Sequence, residues 1–172
     1  MIEDETLLEP IFRTATFEHR NGRVVARFGT NLENHVDEVW EALTVPARMV
    51  DWLAPGEIEP RPGGAVKLNF VDSGIVIDST ISDFELMRVL EYSWSGPGEP
   101  LRPIRFELEP VGSVTGLVLT LSVPAEEDAG RSAAGWAAHL EMLAAALAGA
   151  PIKFPFEIFK TARDDYRARL AA

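Results

Sequence analysis

Cysteine is missing from this 172-residue sequence, and with it go disulfides, zinc-thiolate sites and a cysteine nucleophile. Histidine is scarce: His19, His35 and His139 are the three imidazoles available as base or metal ligand. No apolar run reaches the roughly 18 residues a membrane span needs, so insertion into a bilayer is not expected. A G-x-S-x-G elbow, a phosphate loop, a dinucleotide fingerprint and an H-E-x-x-H pair are all absent, and neither metal nor cofactor is expected. Positive charge is short as well, with 16 Lys and Arg against 27 Asp and Glu for a formal net charge of −11. Polyphosphate binding requires a basic footprint that releases counterions, which excludes nucleic acid as a partner and disfavours acidic membrane surfaces. The first ten residues carry Glu3, Asp4, Glu5 and Glu9 in place of a basic head and apolar core, unlike a secretory signal, and a cytoplasmic location is expected.

What the sequence does hold suits one globular domain: 47% hydrophobic residues, enough to bury roughly 70% of the unfolded surface. The organising stretch is Ser132 to Leu147. At about 100° per residue, Trp136, Leu140, Leu143 and Leu147 fall on one face of a helix, with Glu141 opposite and His139 at the margin of the stripe. Ahead of it, Asn21-Gly22 between alternating segments marks a two-residue hairpin. Asn34 is the expected N-cap of a short helix bearing Val36, Val39, Trp40 and Leu43, and Thr44 and Pro46 open a second with Met49, Trp52 and Leu53. From Gly63-Gly64 the period becomes strand-like through Val66 to Phe70, Ile75 to Phe84, Val89 to Trp94, Ile104 to Glu109 and Val114 to Val123. A final helix starting near Pro155 carries a weaker stripe of Phe159, Ala162, Tyr166 and Leu170. It is open to three roles, as a brace, a lid or a homodimer contact, and its removal is expected to leave a folded body.

The order of elements resembles the START-like, pollen-allergen-like helix-grip fold. Val39-Trp40-Glu41-Ala42-Leu43-Thr44 followed by Trp52, Gly63-Gly64 opening a strand, Leu90-Glu91-Tyr92-Ser93-Trp94 closing another, and Gly135-Trp136 with Leu140, Leu143 and Gly149 are similar to the activator of heat-shock-protein-90 ATPase homologue family of the SRPBCC superfamily. The resemblance implies an α+β fold in which a curved antiparallel sheet of six or seven strands surrounds a long C-terminal helix. Two short helices follow the first strand, and a terminal helix is extra. It divides the chain into an N-terminal extension with the first hairpin strand (1–22), a START-like domain (23–149) and a helical tail (150–172). Members share a hydrophobic cavity between sheet and helix, so the implied function is binding of a small hydrophobic or amphipathic ligand such as a lipid. A polyketide-cyclase-like or hydro-lyase enzyme and a cochaperone-like interaction domain are the alternatives.

The candidate cavity residues are Trp40, Trp52, Phe70, Asp78, Trp94, Phe106, Trp136, His139, Leu140 and Leu143. The four tryptophans sit in four separate elements that such a fold would bring toward one interior, as core filling or as walls for a flat or elongated ligand. Asp78 interrupts an otherwise apolar strand. It points either to water or into the cavity, and in the second case it could pair with His139 for acid/base work.

Overall fold

The computed structural model describes residues 10–70 and 73–172; the acidic stretch up to residue 9 lies outside them. Asn21 and Gly22 both take left-handed φ values, 52° and 76°, as a tight hairpin turn demands, and join β1 (Thr16–Arg20) to β2 (Arg23–Leu32). The chain continues through α1 (Val36–Thr44), α2 (Pro46–Met49), β3 (Gly56–Ile58), β4 (Ala65–Phe70), β5 (Ile75–Glu85), β6 (Val89–Ser93), β7 (Pro103–Val111), β8 (Val114–Pro124), α3 (Ala129–Leu147) and α4 (Phe156–Ala171). The strands form one eight-stranded sheet in the order β1-β2-β8-β7-β6-β5-β4-β3, with every neighbouring pair antiparallel. This is the helix-grip arrangement with one strand more than the six or seven expected. The addition is β3, whose three residues bury Ile58 alone and are too few to show a period. No described helix is long and apolar enough to cross a membrane.

Strict alternation gives the sheet one apolar face. Phe28 of β2, Leu119 of β8, Phe106 of β7 and Leu90 of β6 are buried, while their strand neighbours stay at least partly accessible. The stripe of α3 meets that face, with Trp136, Leu140, Leu143 and Leu147 all buried. Asp128 caps the helix by accepting from the Arg131 amide at 3.1 Å. Asn34 does not cap α1 as expected; His35 holds that position without a side-chain bond. The Asn34 amide donates instead to the Leu147 carbonyl at 3.0 Å, satisfying one of the orphan groups at the end of α3. α2 is also shorter than its apolar residues suggested. Trp52 sits in the turn beyond it, fully buried, and its indole N–H donates to the Ala42 carbonyl at 2.7 Å.

α4 is a brace built into the core. Ala162 and Tyr166 are completely buried, and the Tyr166 hydroxyl donates to the Phe12 carbonyl at 2.5 Å while its ring lies 4.9 Å from that of Phe17. Arg167 pairs with Asp128, and Arg169 donates to the Ala15 carbonyl at 2.9 Å. The two helices approach so closely at Gly130 that a Cβ there would stand 2.9 Å from Arg167 Cγ, which is why a residue without one occupies the site. A truncation before Pro155 would uncover Phe12, Phe17 and Phe28 together, so the truncated chain is expected to lose stability even where it still folds. Tyr166→Ala should cost about 3–5 kcal/mol and Tyr166→Phe about 1–3 kcal/mol in urea denaturation. An unchanged unfolding midpoint for the truncated chain would show that α4 is only appended.

Candidate ligand site

Alternation on the strands and helical spacing on α3 bring most of the expected aromatic residues into one continuous series of rings. Phe106 on β7 contacts Trp52 at a centroid distance of 6.3 Å and Trp136 at 6.1 Å, and Trp136 meets Trp94, just past β6, at 4.8 Å. Trp94 meets Phe70 at the end of β4 at 5.8 Å, and Phe70 meets His139 at 6.0 Å. Trp136 and His139, three residues apart on α3, face each other at 5.9 Å, and the series continues from His139 to Phe154 at 5.5 Å. Most of these contacts are edge-to-face, the arrangement the ring quadrupoles favour by about 0.5–1.5 kcal/mol per pair. The series runs outward from the core: Trp52 and Phe106 are 1% exposed, Phe70, Trp94, His139 and Phe154 are half-buried, and Phe156, in contact with Phe154, is 65% exposed. Exposed Ile75, the cross-strand partner of Phe70, and Ile152, two residues before Phe154, extend the apolar character to the surface.

His139 is the imidazole of the series. Its Nδ1 lies 2.8 Å from the Trp52 carbonyl, which can only accept, so Nδ1 carries the hydrogen. Burial lowers the pKa of the ring below its ordinary value, and the bond to Trp52 opposes that shift less strongly. The imidazole is then neutral near pH 7, with its lone pair on Nε2.

Asp78 does not join it. It projects from the outer face of β5, exposed, with a carboxylate oxygen 3.4 Å from Lys67 Nζ. It follows inward-facing Ile77 in unbroken register with β4, opposite Lys67, so plain alternation sends it outward; a bulge between Ile81 and Asp83 then reverses the parity of the strand. Ile77 and Ile81 face inward before it and Phe84 after it, so Asp78 shares a parity with an inward residue without sharing its face. The acid/base pair considered for the enzyme reading is thus not assembled. Trp40 is also separate: it packs edge-on against Phe84 at 5.6 Å, outside the series. Leu140 and Leu143 are buried on the α3 stripe. Among the described residues no three His, Asp or Glu side chains converge as a metal site.

Two participants escaped the sequence reading. Tyr92, in the middle of β6, is buried 6.5 Å from both Trp94 and Phe106, and burial pushes its phenol above the ordinary range; its alternation with Leu90 was the available signal. Phe154 lies in an irregular connection where periodicity carries no information. A separate open groove of about 580 Å³ crosses the outer face of the sheet over Gly29 and Gly116, with Arg27 and Arg88 set among Glu85, Glu107 and Glu109.

The sequence model of the family described as Activator of Hsp90 ATPase homolog 1-like protein matches residues 34–148. Among solved structures, the chain is similar to the protein encoded by BPP1335 from Bordetella parapertussis, at 31% identity over 88% of each chain with a TM-score of 0.71. It is also similar to CalU16 from Micromonospora echinospora, at 23% identity over 90% of this chain and 96% of that one with a TM-score of 0.73. DynU16, a protein in the dynemicin biosynthetic locus, is 27% identical over 77% of this chain and 49% of its own, with a TM-score of 0.65. No curated protein matches the sequence.

The buried imidazole makes stability depend on pH in a definite direction. Because the folded pKa of His139 is below the unfolded value of 6.5, the unfolded chain binds the proton more readily, and stability is complete above 6.5 and falls as pH drops toward the folded pKa. Melting temperatures between pH 7.5 and 5 should decline more steeply for the wild type than for His139→Gln. Parallel declines would mean that the ring titrates alike in both states.

Proposed function

Because the chain belongs to the Activator of Hsp90 ATPase homolog 1-like family of the SRPBCC superfamily, we propose that it binds a small apolar or amphipathic ligand at the aromatic series between the sheet and α3. The observation that carries this reading is the continuity of the rings from core to surface, with a neutral imidazole among them. An apolar ligand entering there exchanges water for ring edges and faces, at about 25 cal/mol per Å² removed from water. A donor on the ligand can bond to His139 Nε2, which supplies orientation. The place of DynU16 in a biosynthetic locus supports a small molecule over a protein as the cargo. A polyketide-cyclase-like reaction would use the same rings, but the distance of Asp78 from them leaves His139 without a carboxylate partner, and this favours binding over catalysis.

Titration with Nile red should give saturable fluorescence enhancement that small aromatic compounds reverse. Trp136→Leu should weaken uptake about tenfold or more, whereas Asp78→Asn should leave it within twofold, since that side chain stands on the other face. Saturable uptake that responds to Asp78→Asn and not to Trp136→Leu would place binding elsewhere, and no saturable uptake at all would remove the binding reading.

A further inference from the structure

The connection from α3 to α4 is fixed at both ends and loosely held between. Gly149, at φ 83°, closes α3 with its amide on the Ala146 carbonyl at 3.0 Å, and α4 is anchored through Ala162, Tyr166 and the Arg167 to Asp128 pair. In the intervening strap the amides of Ile152, Lys153 and Phe154 make no hydrogen bond among the described residues, and Pro151 and Pro155 have no N–H to give. What seats the strap is the ring of Phe154, 5.5 Å from His139 and resting on Phe156 and Phe159 at 4.9 and 5.6 Å. Phe156, the first residue of α4, is left 65% exposed, so burial was not available to every ring here. Phe154 is the one delivered to the polar end of the series.

Resting on the reading of that series as a ligand site, we propose that Phe154 is a built-in occupant: its ring holds the place of the ligand's own ring against His139, and an incoming aromatic alcohol displaces it by lifting the strap. Lifting breaks no hydrogen bond of the amides of Ile152, Lys153 and Phe154 and at most the one that the Phe154 carbonyl accepts from the Phe156 amide at 3.0 Å, and the ligand's ring restores the edge-to-face contact that Phe154 gives up. The hydroxyl is specified by the imidazole. Its Nδ1 hydrogen is committed to the Trp52 carbonyl, so Nε2 presents an acceptor, which suits a neutral donor and offers a carboxylate nothing. A site occupied by its own chain shows an affinity reduced by the fraction of time it is free.

The test uses the full chain and 1-naphthol, followed by quenching of tryptophan fluorescence. Phe154→Ala should bind about tenfold or more tightly than wild type and associate faster, with Val111→Ala, an exposed apolar side chain outside the series, within twofold of wild type. Wild-type binding that Phe154→Ala weakens or leaves unchanged would make Phe154 a wall or a bystander; the proposal would fall and the ligand site would stand. No quenching in either protein would remove both. A second measurement keeps Phe154 in place: since the sequence has no cysteine, Lys153→Cys takes a single spin label. Saturating 1-naphthol should shift that label to faster motion, and an unchanged spectrum on a protein that has bound the probe would overturn the displacement.

Discussion

Trp136 has to be kept from water, and much of the architecture is arranged to do it. Burying an indole of this size contributes on the order of 4–6 kcal/mol, comparable to the whole net stability of many domains. The ring is covered by other rings, Phe106 of β7 and Trp94 just past the neighbouring β6. The helix must also lie close to that face, and Ala133, Ala134 and Ala137, all buried, allow it. Its two ends are then tied to the rest of the chain: Asp128 to Arg167 at the start, the Leu147 carbonyl to Asn34 at the finish. The second tie uses a carbonyl the helix end would otherwise leave unmatched, and the first uses the carboxylate that also caps the helix start.

How much of this can be read from residues alone depends on the kind of signal each feature leaves. The hairpin at Asn21-Gly22, the alternation from Val66 to Val123 and the stripe on α3 are local periodicities, and the structure keeps them. Asn34 looks like a cap and is one, but for a different helix, because its partner is 113 residues away in sequence. Tyr166 looks like part of a weak stripe diluted by charge, yet it reaches Phe12 across 154 residues and belongs to the core. Asp78 was ambiguous for a physical reason, since two parities are present in one apolar run, that of Ile77 and Ile81 before the bulge and that of Phe84 after it. Phe154 left no trace in any period. The rings on regular elements were therefore legible, and the ring on the irregular connection was not.

The electrostatics of His139 bear on what the site does. A histidine that abstracts protons usually has a carboxylate behind its other nitrogen, which stabilises the imidazolium as it forms. Here the group behind Nδ1 is a backbone carbonyl, which fixes the tautomer but carries no full charge, and burial further disfavours protonation. Burial weakens Nε2 as a base, the bond to Trp52 offsets that only in part, and Nε2 stays a serviceable hydrogen-bond acceptor. The carboxylate that could reverse this is Asp78, and its place beside inward Ile77, in register with Lys67 of β4, turns it to the opposite face. With Asp78 on the other face of the sheet, the acid/base pair considered for the enzyme reading is not assembled, and the carbonyl of Trp52 is what orients the imidazole.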